Sequence, residues 1–181
     1  MTDIQQPEPW LRGTLTDVDA VQRAVIHALA LAEEDIAKWC AGLTDAELNA
    51  RLFGLSPVAF HIRHIARSLD RLLSYAEGAN LDATQLTALR TELAPDATIK
   101  SVFTELISAL NASVPRVRAF SPEHFNAPRT VGRAALPTTV GGLLVHCADH
   151  TQRHTGQAVT TAKLILALRE KVSAPSSSAA T

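Results

Sequence analysis

The sequence predicts an all-α protein, a four-helix bundle with short extra helices in its connectors. Three observations carry that reading. Aromatic residues make up only 4% of the chain, while alanine and leucine dominate. Apolar residues recur mostly at spacings of three and four, the period of a helix face, and almost no stretch alternates as a strand would. Four stretches are long enough to be core-forming helices, which is the content of a bundle.

The first long helix is read over 16–40, TDVDAVQRAVIHALALAEEDIAKWC, with acidic residues near its start where they favour the helix dipole. TDAELNARLFG (44–54) opens with a capping box, Thr44 followed by Glu47, and closes on Gly54, which predicts a short connecting helix. The second long helix, over 56–78, takes Ser56 as cap, Pro57 at its first position and Gly78 as its stop. A polar loop follows, with a short helix around ATQLTALRTEL. The third long helix, over 97–120, contains Pro115, which lacks an amide proton and is expected to kink or break it. SPEHFNAPRTVGRAALP holds three prolines and reads as a long connector. The fourth helix is read over 138–171.

These four are expected to pack as an antiparallel-type bundle, with the stripes Leu29/Ile36, Ile65/Leu72, Phe103/Leu110 and Leu143/Leu164 meeting in one core. The domain organisation follows: a flexible N-terminal segment 1–13, a single domain 14–171, and a disordered tail 172–181, VSAPSSSAAT.

Composition bounds the function. The length of 181 residues suits one domain with a real core, and 46% hydrophobic against 19% charged residues is ordinary for a globular protein. A net charge of −1 without a basic stripe gives no reason to expect nucleic acid or an acidic membrane as partner. The longest apolar runs, such as VIHALALA, are too short to span a bilayer. The opening MTDIQQPEPW is no basic, apolar leader, and two cysteines, Cys40 and Cys147, make no disulfide framework. A cytoplasmic protein is expected.

Histidine is the unusual residue. Of 7 in the chain, three stand at a strict four-residue spacing in VHCADHTQRHTGQ: His146, His150 and His154. At about 100° per residue, His150, His154 and Gln157 fall within about 60° of one another, on the arc that holds Val140, Leu143, Leu164, Ile165 and Leu168. A buried imidazole without partners costs on the order of 1–3 kcal/mol, so the placement needs a reason. A lone inward histidine is more often packing. Two at i and i+4 on one inward face can instead reach a single ion at about 2.1 Å. All three cannot share it, because His146 and His154 stand roughly 12 Å apart along the axis.

Two ligands on one helix hold a transition metal poorly, so a third is needed from a facing helix. FHIRHIARSLDRLL offers His61 and His64. On the wheel His61 lies near the apolar arc of Val58, Ile62, Ile65, Leu69 and Leu72, and His64 at its edge beside Arg67 and Arg71. Periodicity alone favours His61.

FHIRHIARSLDRLL, followed about 80 residues later by LLVHCADHTQRHTGQ, resembles the DinB/YfiT-like metalloenzymes. That pattern is a histidine before a small apolar pair on the second helix, here His64-Ile65-Ala66, then H-x-x-x-H-x-G-Q on the fourth, here His150 to Gln157. The order and spacing of the helices fit over nearly the whole chain. The resemblance implies a bundle with a three-histidine site for a divalent transition metal (zinc, nickel or iron), and a homodimer. It makes His64, His150 and His154 the ligands. His61, His146 and Gln157 then become pocket residues or groups that orient a ligand from behind; for the two histidines, simple packing is an equal alternative.

The function so implied is a metal-dependent enzyme acting on a small molecule, a thiol-dependent S-transferase or a hydrolase, with a low-molecular-weight thiol among its candidate partners. The alternative is a non-catalytic metal-binding or stress-related bundle. No catalytic residue is assigned. Asp70 and Asp149 point away from the ligands on their wheels and read as surface charge. Cys147 shares the His154 face but reads as a small buried hydrophobe. Trp10 and Trp39 are weak candidates for a dimer surface.

Overall fold

The structure is a computed structural model that describes residues 6–173; the expected tail, from residue 174 on, lies outside the described residues. Among the described residues are six α-helices, α1 (Ala20–Cys40), α2 (Asp45–Leu48), α3 (Val58–Ala76), α4 (Ala83–Arg90), α5 (Ile99–Arg118) and α6 (Val140–Ser173). One small antiparallel sheet joins β1 (Pro128–Val131) to β2 (Leu136–Thr139). The helical class and the long helices are as the periodicity predicts, with ends shifted by a few residues.

The local signals work unevenly. The Thr44–Glu47 capping box forms and starts α2, and Asp82 with Gln85 does the same for α4. α3 is capped by Pro57 without a side-chain hydrogen bond, so Ser56 is not its cap. Gly78 does end α3. With φ of +83° it lets its own amide donate to Tyr75 O and the Ala79 amide to Ser74 O, closing the last turn. α2 stops at Leu48, so Gly54 lies in the following loop rather than at the helix end. Pro115 neither kinks out nor ends α5, which runs on to Arg118; the proline stands in the last turn, where its missing donor costs one bond.

The connector after α5 was expected to be irregular, and it contains the β-hairpin. Pro128 and Pro137 obscure it in the sequence. In a two-stranded ribbon each strand has an outer edge, where a residue without an amide proton is tolerated. In the expected N-terminal segment, Pro9–Leu11 form a 3₁₀ turn, and Arg12 reaches Glu34 of α1 through two bonds of 2.6 and 2.7 Å.

α1, α3, α5 and α6 make the bundle, with α6 between α1 and α3, and α5 opposite it. Side-chain pairings give the directions. Gln152 Nε2 donates to Ala28 O, and Lys163 sits over the Trp39 ring, so α6 and α1 run parallel. Arg67 pairs with Glu105 and Glu77 with Arg116, so α3 and α5 also run parallel. Gln22, near the start of α1, donates to Val117 O near the end of α5, and His61 meets His154 while Ser68 meets His150; those two pairs are antiparallel. The order is up-down-down-up rather than fully antiparallel. The long α3–α5 connector, which contains α4, allows the chain to return before α5 starts.

Leu29, Ile36, Ile65 and Leu110 are buried in one core, with Leu72 and Phe103 packed partly against it; Leu143 is buried but lies outside that cluster. On α6 the buried line runs Val140, Leu144, Cys147, Thr151, Thr155, Ala158, Ala162, Ile165. This corrects the wheel: His150, His154 and Leu164 stand half-buried beside that line, and Gln157 is exposed. Two threonines mislead the reading. Thr155 satisfies its hydroxyl on Thr151 O, one turn back, so it can face the core as an apolar group. Among the described residues no helix is long and apolar enough to cross a membrane.

Candidate metal centre

The α3–α6 seam brings together the histidines that spacing could only nominate. One ring nitrogen from each of His64, His150 and His154 lies within 4.8 Å of the other two. The ring centroids form a nearly equilateral triangle, at 4.8 Å for His64–His150, 4.4 Å for His64–His154 and 4.6 Å for His150–His154. Such a set can hold a metal ion.

Each ring is held from behind by a different partner. His64 Nδ1 lies 2.7 Å from Glu92 Oε2, and the other Glu92 oxygen takes Arg71 Nη1 at 2.8 Å. His150 Nδ1 is 3.3 Å from the Ser68 hydroxyl, which itself donates to Ile65 O. His154 Nδ1 is 3.0 Å from His61 Nδ1. Phe60 stacks on His64 at 5.2 Å and meets the His61 and His154 rings edge-on.

His61 therefore does not join the three; it supports one of them. Its burial agrees with the wheel, and its position one turn before His64 puts it against the far side of His154. His146 also stays apart. It is half-exposed, its Nδ1 lies 3.7 Å from Asp149 and its ring packs at 5.2 Å against His150. Gln157 lines a neighbouring groove of about 570 Å³ with Ser56, His61, Arg153, Gly156, Thr160 and Thr161 among others.

Burial favours the neutral form of His61, His150 and His154. Burial, followed by the neighbouring histidines, pushes His61 and His150 down to about 4, and burial with His64 and Arg153 does the same to His154. Burial works to raise the Glu92 carboxyl, but hydrogen bonds from His64 and Arg71 outweigh it and hold the group below its usual range. Cys147 is fully buried and its thiol is pushed up to about 12 by burial, so it is a core residue and no thiolate. Asp70 and Asp149 lie at the surface, paired with Arg116 and Arg153.

Two residues escaped the sequence reading. Ser68 was findable, since it follows His64 by one turn on the same helix face. Glu92 was not: it lies 28 residues from its partner, beyond α4, and no spacing links them.

Comparison with known proteins agrees with this architecture. The sequence model of the DinB superfamily matches residues 28–158. A crystal structure described as a conserved protein from Enterococcus faecalis has the same fold, with a TM-score of 0.65 and 22% identity, covering 81% of this chain and 98% of that one. No curated protein matches the chain.

Proposed function

The chain belongs to the DinB superfamily, and from that premise we propose that it binds one divalent transition metal (zinc, nickel or iron) through Nε2 of His64, His150 and His154. We propose further that it works as a metal-dependent enzyme on a small molecule, as a thiol-dependent S-transferase or a hydrolase. One observation carries the metal: the Nε2 atoms of His64 and His150 face each other at 3.2 Å. A carboxylate can only accept, so Glu92 fixes the proton of His64 on Nδ1. The Ser68 hydroxyl is committed to Ile65 O, so its oxygen accepts from His150 Nδ1. Both Nε2 atoms then present lone pairs, an arrangement that is repulsive until a cation lies between them. His154 completes the set in the tautomer that donates Nδ1–H to His61, which leaves its own Nε2 bare.

Three neutral imidazoles leave positions open on an ion, as catalytic sites do. Once bound, the cation supplies Lewis acidity and lowers the pKa of the group it holds. The chain supplies the rest. Arg153, which also pairs with Asp149, stands with Gln157, Thr160 and Thr161 along the groove beside His61, so the lining offers one guanidinium and several hydrogen-bonding groups. That lining suits a polar small molecule carrying an anionic group, which a low-molecular-weight thiol with a carboxylate would satisfy.

One observation favours the alternative of a metal-binding bundle without catalysis: Glu92, the carboxylate beside His64, is already engaged by His64 and Arg71. Elemental analysis of native protein followed by a screen of thiols against electrophilic substrates separates the two. Stoichiometric metal with thiol-dependent turnover supports the enzyme. Metal without turnover leaves the binding bundle, and no metal removes both. A homodimer is part of the same proposal, with the exposed Leu86, Leu89 and Leu93 as an available apolar face. Sedimentation giving a monomer at micromolar concentration would refute that part.

A further inference from the structure

We infer that Glu92, clamped by Arg71, is a positioning residue of the metal centre, fixing His64 so that Nε2 faces the ion and strengthening that nitrogen as a ligand. The inference rests on the metal reading above. Glu92 is only 5% exposed, and a carboxylate is rarely buried unless each oxygen is partnered. Here one oxygen takes His64 Nδ1 at 2.7 Å and the other takes Arg71 at 2.8 Å. Arg71 follows His64 by seven residues on α3, two turns along the same face, so one helix presents both the ligand and the cation that steadies its support.

The three rings are supported unequally. His150 has a hydroxyl behind it and His154 an imidazole; only His64 has a full negative charge. A carboxylate accepting Nδ1–H fixes the tautomer and pushes electron density toward Nε2, which raises the ring's basicity toward a metal. Anchoring the α4–α5 connector does not account for the burial of Glu92. Arg63 already donates to Ala94 O at 2.7 Å and Asn49 to Ala97 O at 2.7 Å, holding the same segment without a buried charge.

The test is zinc affinity, measured by competition with a chromophoric chelator on wild type, Glu92→Ala and Glu92→Gln, with the cobalt-substituted absorption spectrum and metal-free melting recorded beside it. Glu92→Ala should lose roughly 10–100-fold in zinc affinity. Glu92→Gln keeps an acceptor oxygen for Nδ1–H, so it should lose less and recover most of the binding, while its cobalt spectrum still shifts. A purely structural role would lower the metal-free melting temperature and leave affinity and spectrum alone. That result, in either variant, overturns the inference while the metal reading stands. Should Glu92→Ala fail to fold, Glu92→Gln decides alone: an unchanged cobalt spectrum overturns the inference. If wild type takes up neither ion, the metal reading falls and the inference falls with it.

Discussion

An imidazole ligates only through the nitrogen that carries no proton, so the atoms behind His64, His150 and His154 matter as much as those in front. Each of the three has its Nδ1 engaged, by Glu92, Ser68 and His61 in turn. Replacing any one of the three with Ala should abolish tight metal binding, because two imidazoles remain and affinity falls with the ligand count. His146→Ala should leave metal content nearly unchanged. His61→Ala should weaken binding without abolishing it, by roughly 10–100-fold as other losses of a ligand's support do. Metal content per chain after dialysis checks the series; retention of a full equivalent by His64→Ala would show that His61, not His64, is the third ligand. At this scale the sequence was legible in part. The i, i+4 spacing selects a pair, and H-x-x-x-H-x-G-Q selects which pair. The wheel pointed to His61 over His64 because burial and ligation are different properties. His61 is the more buried, while the cluster that could hold an ion takes His64.

Two glycines at α-helices have opposite roles, and their substitutions should move stability in opposite directions. Gly78 ends α3 at φ +83°, a conformation that costs a side-chain-bearing residue roughly 1–2 kcal/mol, so Gly78→Ala should destabilise by about that much. Gly156 sits inside α6, where glycine is worse than alanine by about 0.8–1.0 kcal/mol. A Cβ there meets nothing within 4 Å, so no packing inside this chain requires the glycine. It lines the groove with His61 and Arg153, where a bare backbone leaves room for a ligand. Gly156→Ala should therefore raise the melting temperature by roughly 2–4 °C with metal content unchanged. Thermal melts of the two alanine variants check the sign; a Gly156→Ala protein less stable than wild type would sink the groove argument. Capping boxes and the Gly78 stop were readable because they are local chemistry. The hairpin was not, since its prolines are tolerable only where an edge is free. The inward line of α6 was not either, since Thr155 satisfies its hydroxyl on its own helix and Thr151 is buried with its hydroxyl unpartnered.

The up-down-down-up order of the bundle sets α3 and α6 antiparallel along the seam that carries the site, so three histidines from distant segments share one partly buried space. No pattern in the chain reports helix direction; that follows from connector length and from pairs such as Gln152 with Ala28 and Arg67 with Glu105. Concentrating uncharged histidines there ties the stability of the whole bundle to pH. His61, His150 and His154 are held near 4, and His27 is also lowered, by burial first and then by Arg23 and Arg12. On unfolding these rings return to about 6.5, so below that pH the unfolded chain binds more protons than the folded one. For the first three the contribution is fully present above about 6.5 and is lost as the pH falls through about 4, and His27 acts with the same sign. Carboxylates add a second, more acidic loss of the same sign. Glu47, held down to about 2 by Arg169 and Thr44, contributes above its ordinary value and not below about 2. Denaturation of chelator-treated protein at pH 7.5, 6 and 5 should show a steady fall, and a His61→Gln, His150→Gln double variant should flatten it. Bound metal changes the slope in a predictable way. An ion that binds only the folded state adds stability in proportion to its affinity, and protons compete for the same three Nε2 atoms, so the loaded protein should start higher and fall more steeply through the same window. Stability that stays level from pH 7.5 to 5 in the metal-free protein would mean that these histidines keep ordinary values, and that the cluster is far more open to water than its burial indicates.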